Sequence, residues 1–224
     1  MSSRGKGSAL RELPILLVSA LILSMIVKTF FVQFFYIPSG SMENTLLVND
    51  RVGVNKFGAL FSDIKRGEVV VFRDPADWLS VPTNEDTGLK KVAKDALVFV
   101  GVLPDPSKQY LIKRVIGVGG DRVVCCNASN QIEVNGTPIT EPYIYPGDKP
   151  SDSEFDVTVP KGFIWVMGDH RGASADSRFH TQDPNKGMVP LEKVTGRALF
   201  VIWPLSNLGI LEVGKDLSKI PVAG

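Results

Sequence analysis

The chain of 224 residues is long enough for one medium domain with its own hydrophobic core. Its 25 basic and 24 acidic residues nearly cancel, so no overall field favours a nucleic acid or another polyanion as a partner. A hydrophobic share of 44% and a charged share of 22% exclude a disordered chain. The function must therefore be sought in local motifs.

An apolar stretch near the N-terminus is the first segment with a clear pattern. Residues 13–27 carry no charge, and after one lysine the apolar character continues to residue 37. As a helix the stretch would cover about 36 Å, which is enough to cross a bilayer. Arg4, Lys6 and Arg11 precede it, and basic residues stay on the cytoplasmic side. We therefore predict a cytoplasmic tail at 1–12, a transmembrane anchor at 13–36 and an extracytoplasmic domain at 37–224.

A cleavable secretory signal and a buried core helix are the two alternatives for this stretch. A secretory signal would end in a small-x-small cleavage pattern, whereas this stretch ends in Phe34, Phe35 and Tyr36. Aromatic residues are typical of a membrane interface. A core helix would have a polar face, and this stretch has none. Both comparisons favour an uncleaved anchor.

Beyond the anchor the pattern is that of short strands. Runs rich in Val, Ile and Phe are separated by turn residues, among them many of the 21 glycines and 15 prolines. Asn135-Gly136 predicts a hairpin turn. The predicted fold is mostly β, with the single transmembrane helix followed by an antiparallel β-sheet domain that carries a smaller β-rich insertion at about 122–164. We predict strands at Arg51–Val54, Glu68–Phe72, Tyr110–Val118, Asp121–Cys125, Gln131–Val134, Phe155–Val159, Phe163–Met167 and Arg197–Trp203.

A second insertion, at about 84–107, is predicted to contain a short helix. Apolar residues recur at helical spacing over residues 87–100. This segment is too short to span a bilayer. It fits a surface helix or a second patch that faces the membrane.

Two serines lie in a tight turn directly after the anchor. The sequence from Ile37 to Leu46 places Pro and Gly around Ser39 and Ser41, a pattern typical of an exposed turn. A serine hydroxyl is inert until a base activates it. The chain has only two histidines, His170 and His180, so the choice of base is narrow.

Lys113 is the best candidate for that base. Strand alternation places it between Leu111 and Val115 on one face, while Ile112 and Arg114 point to the other. Burial on an apolar face disfavours the charged ammonium and lowers the pKa of a lysine. The alternative is an edge-strand lysine that discourages aggregation.

A polar loop follows the strand predicted at Phe163–Met167. It contains small, polar and oppositely charged residues from Gly168 to Arg178, which could supply a hydroxyl to orient the lysine. The alternatives are a solvated loop, or a cation site built from Asp169 and Asp176.

Together these segments resemble bacterial type I signal peptidases. The resemblance rests on four motifs behind an N-terminal anchor and covers roughly residues 10–204. The motifs are PSGSMENTL at 38–46, RGEVVVFRDP at 66–75, YLIKRVIGVGGD at 110–121 and GDHRGASADSR at 168–178. Their order and spacing agree with that family.

The resemblance implies a role for each matching residue. The family's nucleophile falls on Ser41 and its general base on Lys113. The hydroxyl of its oxyanion hole falls on Ser39, and the hydroxyl that orients the lysine falls on Ser174. The residues that support the site fall on Arg114, Gly168, Asp169, Asp176 and Arg178.

The loop departs from the family's commonest form, GDNRDNS, at His170, Gly172 and Ala173. A Ser–His pair is conceivable, but Ser174 and Lys113 keep their expected places. The departures concern the hydrogen bonds of the loop rather than the nucleophile and base.

The implied activity is removal of N-terminal signal peptides from preproteins through an acyl-enzyme, without metal or organic cofactor. Preproteins and the lipid bilayer are the expected partners, the secretion translocon is a further candidate, and the expected location is the cell membrane. An apolar patch of Ile37, Met42, Leu46 and Leu47 could line substrate pockets, contact the membrane or belong to the core.

Cys125 and Cys126 are adjacent and cannot join distant parts of the chain. The sequence is compatible with a vicinal disulfide and with two reduced thiols.

Two functions of other classes compete with this hypothesis. One is an inactive, membrane-anchored β-rich homologue that acts as a binding module. The other is a Ser–Lys enzyme of a different family. A penicillin-binding protein needs Ser-x-x-Lys, but Asn44 lies three residues after Ser41. A self-cleaving repressor would lack the anchor and carry a DNA-binding domain.

Overall fold

The structure is a computed structural model that describes residues 12–20, 32–56, 63–79, 109–214 and 216–221. Residues 12–20 form a helix with exposed apolar side chains. The other elements of the described residues are short 3-10 helices and twelve strands: β1 Val32–Tyr36, β2 Arg51–Asn55, β3 Val69–Arg73, β4 Tyr110–Val118, β5 Arg122–Cys125, β6 Glu133–Val134, β7 Thr137–Pro138, β8 Phe155–Thr158, β9 Phe163–Met167, β10 Val189–Pro190, β11 Val194–Trp203 and β12 Gly209–Ile210.

These strands form two antiparallel sheets. The larger sheet has the order β1-β2-β11-β3-β4-β9-β10, with β12 paired to β11, and the smaller sheet has the order β7-β6-β5-β8. All four strands of the smaller sheet fall within the predicted insertion at 122–164. The mostly β, antiparallel fold that the sequence predicted is confirmed.

The centre of the larger sheet is buried on both faces. In β3, Val69 and Val71 pack into one hydrophobic cluster, while Val70 and Phe72 pack into another on the opposite face. Neighbouring β4 alternates in the same way, because successive side chains of a strand point to opposite faces. Leu111 and Val115 therefore lie on one side of the sheet, as predicted, and the side chain between them enters the same buried layer.

The predicted hairpin turn joins β6 and β7. Asn135 and Gly136 both have positive φ, at 53° and 74°, and the flanking residues Val134 and Thr137 pair directly. A two-residue turn of this kind needs positive φ at both positions, which Asn and Gly tolerate better than other residues. The turn prediction is confirmed.

The end of the predicted anchor is corrected by the structure. Val32–Tyr36 is strand β1, paired with β2 in a register that sets Phe34 opposite Gly53. Hydropathy does not distinguish an apolar strand from the end of an apolar helix, and the backbone groups of β2 need this partner. Within the described residues, no helix combines the length and apolar character needed to cross a bilayer.

The remaining sequence predictions concern the second insertion, the shortest strands and the two cysteines. The helix at 87–100 and the insertion at 84–107 lie outside the described residues. The short strands β7, β10 and β12 were missed, because two-residue strands leave no periodic pattern. Cys125 and Cys126 are joined by a vicinal disulfide.

Candidate active site

The segment after Ser39 forms a compact turn over residues 40–46, which contains Ser41 and which we call the nucleophile turn. Its backbone closes through hydrogen bonds from Glu43 N to Gly40 O (2.9 Å) and from Leu46 N to Met42 O (2.8 Å). Met42 and Leu46 are fully buried in a core cluster that also contains Ile37. These apolar residues anchor the turn that carries Ser41.

The apolar patch considered in the sequence is therefore mostly core. Ile37, Met42 and Leu46 are 2%, 0% and 0% exposed, whereas Leu47 is 48% exposed. Ordinary core packing accounts for the first three residues. Leu47 alone among the four presents a substantial apolar surface to solvent.

Lys113 reaches the nucleophile turn from the middle of β4. Its Nζ donates a hydrogen bond to Ser41 Oγ at 2.5 Å. The lysine is 4% exposed and the serine 7%. The edge-strand alternative does not apply, because β4 lies between β3 and β9 inside the larger sheet.

The environment of Lys113 changes its protonation. Burial lowers its pKa from 10.5 to about 8, although the Asp176 and Asp169 carboxylates oppose this shift and the Arg178 guanidinium adds to it. Roughly one lysine in ten is then neutral at pH 7, compared with fewer than one in a thousand for an unperturbed lysine. The neutral amine, hydrogen-bonded to a hydroxyl, is able to accept its proton.

The polar loop at 168–178 packs directly against the nucleophile turn. A side chain at Gly168 would collide with both Ser174 Oγ and the carbonyl oxygen of Ser41, so only glycine fits this position. Gly168 N donates to Asp176 Oδ2 at 2.9 Å. Close approach of two backbone segments at a glycine thus brings the loop to Ser41.

The Ser174 hydroxyl is buried beside this contact. It donates its hydrogen bond to Asp176 Oδ2 at 2.8 Å, and the described residues show no hydrogen bond between Ser174 and Lys113. The expected orientation of the lysine by Ser174 is therefore not seen as a direct contact. Ser174 instead helps to hold Asp176, whose charge acts on Lys113.

Asp176 is held by Arg178 in a buried ion pair. Arg178 Nε and Nη2 donate to the two carboxylate oxygens at 2.8 and 2.9 Å. Burial alone would raise the pKa of Asp176, but the hydrogen bonds and charge of Arg178 outweigh it and hold the pKa below its usual value. The carboxylate therefore stays ionised in the loop.

A second buried ion pair joins β4 to the start of the loop. Arg114 Nε and Nη2 donate to Asp169 at 2.8 and 2.7 Å, and Thr45 Oγ1 donates to Asp169 Oδ2 at 2.5 Å. Asp169 thereby fastens the nucleophile turn to the strand that carries Lys113. Since both aspartates are bonded to arginines, the alternative of a cation site built from Asp169 and Asp176 is not supported. The described residues contain no cluster suited to a metal.

Ser39 and His170 complete the set of predicted residues. Ser39 is exposed two residues before Ser41, and within the described part of the chain no hydrogen bond joins its hydroxyl to Ser41 or Lys113. The His170 ring contacts Glu43 rather than Ser41, with 3.2 Å between Nδ1 and Oε2. A Ser–His pair is therefore not formed.

Sequence reasoning missed several residues of the supporting network. Arg171 is 2% exposed, pairs with Glu141 and donates from Nε to Gly168 O at 2.9 Å. Asn44 has φ of 82° and donates to the carbonyl oxygens of Tyr143 and Ile144 at 3.1 and 3.0 Å. The sequence at 141–144 has no pattern that indicates a function, because these residues contribute backbone carbonyl oxygens and one buried carboxylate.

The structure explains why the loop has Gly172 where the commonest form of the family has aspartate. Gly172 N donates to Asp148 Oδ2 at 3.0 Å, and a methyl group at this position would lie 3.2 Å from Asp148 Oδ1. An aspartate here would set two carboxylates against each other. Ala173 is exposed, and nothing in the structure explains its choice.

We expect Asp169→Ala to destabilise the domain by about 3–5 kcal/mol, because it leaves the Arg114 guanidinium buried without its carboxylate partner. The side chains of this pair are 2% and 0% exposed. Denaturant unfolding measures the change. The matched control is Asp156→Ala, which breaks an exposed ion pair with Arg122 whose side chains are 51% and 63% exposed. That variant should leave the unfolding midpoint almost unchanged, and equal losses in the two variants would contradict the prediction.

Comparison with known proteins shows the family of the chain. The family model described as "Signal peptidase, peptidase S26" matches residues 10–203. Signal peptidase I of Mycobacterium tuberculosis is 39% identical over 234 residues, covering 92% of this chain and 76% of that protein. A probable signal peptidase I of Mycobacterium leprae is also 39% identical, over 93% and 81% of the two chains. A probable signal peptidase I-2 of Synechocystis is 34% identical, over 95% and 82%.

The family model covers most of the chain, so the chain belongs to the signal peptidase family, peptidase S26, a family of serine peptidases. Within this family it is a serine endopeptidase of the signal peptidase I type, which removes signal peptides from preproteins. Signal peptidases I are typically bound to membranes.

Proposed function

We propose that Ser41 is the nucleophile of this peptidase and that Lys113 is its general base. The observation that carries the proposal is the 2.5 Å hydrogen bond between Lys113 Nζ and Ser41 Oγ inside a buried site. Geometry and a pKa of about 8 together suit the lysine to accept the serine proton. Cleavage of a test preprotein by wild type and by variants of each residue tests the assignment.

The chemistry proceeds in two steps. Neutral Lys113 takes the proton from Ser41 as Oγ attacks the carbonyl carbon of the scissile bond. The lysine then gives this proton to the departing amine, which leaves an ester between Ser41 and the signal peptide. A water molecule attacks the ester, Lys113 accepts its proton, and the proton returns to Ser41 Oγ as the ester breaks.

We assign the oxyanion to two donors, one on the nucleophile turn and one directly before it. The backbone N–H of Ser41 and the hydroxyl of Ser39 are expected to hold the negative oxygen of the tetrahedral intermediate. The exposed position of Ser39 leaves its hydroxyl free to turn toward a bound substrate. Arg114, Gly168, Asp169, Ser174, Asp176 and Arg178 hold the turn and the lysine in register.

We further propose that the N-terminal apolar segment anchors the protein in the cell membrane, with the catalytic domain on the extracytoplasmic side. Because Val32–Tyr36 pairs in the sheet, the anchor would end before Val32. The 19 residues from 13 to 31 would span about 28 Å as a helix, close to the thickness of the hydrocarbon layer. The lipid bilayer and the secretion translocon are the proposed partners besides preproteins.

Exposed apolar side chains near the anchor support this arrangement. Strands β1, β2, β11 and β12 are neighbours at one end of the larger sheet. They and the adjoining turn carry side chains that are between 50% and 85% exposed, namely Phe34, Tyr36, Trp203, Leu205, Leu208 and Ile210. Exposed apolar side chains on β1 and the strands next to it are suited to rest on the bilayer.

The topology can be tested by protease accessibility. We expect a reporter fused after residue 12 to remain in the cytoplasm, because the basic residues before it resist transfer across the membrane. Protease added to intact spheroplasts should degrade the domain that begins near residue 32, while a cytoplasmic marker protein stays intact. Protection of that domain would contradict the proposed orientation.

A further inference from the structure

His170, where the chain departs from the commonest form of its family, sits at the junction of three segments. Its backbone N–H donates to Ser41 O at 3.2 Å. Its Nδ1 lies 3.2 Å from Glu43 Oε2, and we assign the ring proton to Nδ1 because a carboxylate only accepts hydrogen bonds. The ring stacks on Tyr145 with 4.0 Å between centroids and an angle of 17°. These contacts fix the orientation of the imidazole.

The Glu43 carboxylate is held against the nucleophile turn itself. A methyl group at Gly40 would lie 2.9 Å from both Cδ and Oε1 of Glu43, so the carboxylate covers the glycine. Gly40 connects Ser39 to Ser41, the two residues proposed to stabilise the oxyanion. A negative charge is therefore placed beside the part of the turn where the reaction creates another negative charge.

Such a charge should slow the reaction unless it is held and neutralised. Like charges in a partly buried site repel, and the repulsion grows as the oxyanion forms in the transition state. A hydrogen bond from His170 reduces this repulsion in two ways. It directs the carboxylate to one position, and it withdraws negative charge toward the imidazole.

We propose that His170 is a positioning residue that holds and partly neutralises the Glu43 carboxylate beside the oxyanion-forming turn. The proposal rests on the assignment of Ser41 as the nucleophile. It predicts that His170 matters for turnover because of Glu43, and not because it exchanges protons with the substrate. Loss of the imidazole then harms catalysis only while the carboxylate at position 43 remains charged.

Steady-state kinetics with a test preprotein examine this directly. We expect His170→Ala to retain substantial activity but to lower kcat by about tenfold, with KM changed by less than about twofold. Adding Glu43→Gln to His170→Ala should return kcat to within about threefold of wild type. His170→Asn places a donor where Nδ1 stands and should keep most of the wild-type kcat.

Asp148 supplies a matched control. It is the other carboxylate near the ring, with 3.9 Å between its Oδ2 and Nε2, but it bonds to Gly172 N and not to the nucleophile turn. Asp148→Asn added to His170→Ala should not raise kcat. His170→Leu fills the space of the imidazole without donating a hydrogen bond, so it should behave like His170→Ala. It takes the place of His170→Ala in the experiment if the alanine variant is unstable.

The outcomes separate this inference from the proposed mechanism. If Glu43→Gln fails to rescue His170→Ala, or if the loss appears in KM rather than kcat, His170 acts by shaping the loop or by contacting substrate, and the inference is wrong. If Ser41→Ala cleaves as well as wild type, the mechanism is wrong whatever the rescue shows.

Discussion

Ser41→Ala is expected to reduce preprotein cleavage by about 10³-fold or more while the domain stays folded. The reason is that Ser41 Oγ forms the covalent bond in the first step, and no other described hydroxyl is hydrogen-bonded to Lys113. Removing one buried hydroxyl leaves the apolar anchors of the turn, Met42 and Leu46, in place. Cleavage should be measured with detergent-solubilised full-length protein, and folding by thermal unfolding, with Tm within a few degrees of wild type.

Ser129→Ala serves as the matched control for this substitution. Ser129 lies in an exposed turn between β5 and β6 of the smaller sheet. Its loss should leave cleavage unchanged. Full activity in Ser41→Ala would show that this serine is not the nucleophile, whereas a folded wild-type protein without any cleavage would favour the binding-module alternative.

Lys113→Arg should be inactive at every pH, with a loss of about 10³-fold or more, because a guanidinium stays protonated and cannot act as a base. The wild-type enzyme gives the complementary result. Burial lowers the pKa of Lys113 to about 8, so kcat/KM should rise with pH up to a midpoint near 8 and level off above it. Below the midpoint, each pH unit removes about nine-tenths of the neutral amine and hence of the activity.

The pH profile and the substitution can be checked together. Lys161→Arg, at an exposed lysine in the turn before β9, is the control and should preserve both the activity and the midpoint. Substantial activity in Lys113→Arg would overturn the assignment of the base. A profile flat between pH 6 and pH 9 would show that no group with the predicted pKa controls the reaction.

Local chemistry in the sequence was sufficient for much of the fold. The alternation of Leu111, Lys113 and Val115 predicted a lysine facing a buried layer, because the side-chain period of a strand is two whatever lies around it. Asn135-Gly136 predicted its turn because positive φ is a property of those residues. Residue types and motif order also singled out Ser41 and Lys113, which the fold brings to 2.5 Å although 72 positions separate them.

Tertiary structure alone decided the contacts around these residues. Val32–Tyr36 became an edge strand because β2 offered a partner, a fact that the hydropathy of the segment does not contain. Ser174 donates its hydrogen bond to Asp176, and Glu141 forms an ion pair with Arg171. These partners follow from the arrangement of three loops, which determines which buried donor lies next to which acceptor. The pKa of Lys113 belongs to the same category, because burial and the charges of Asp176, Asp169 and Arg178 act through space and depend on distances that exist only in the folded chain.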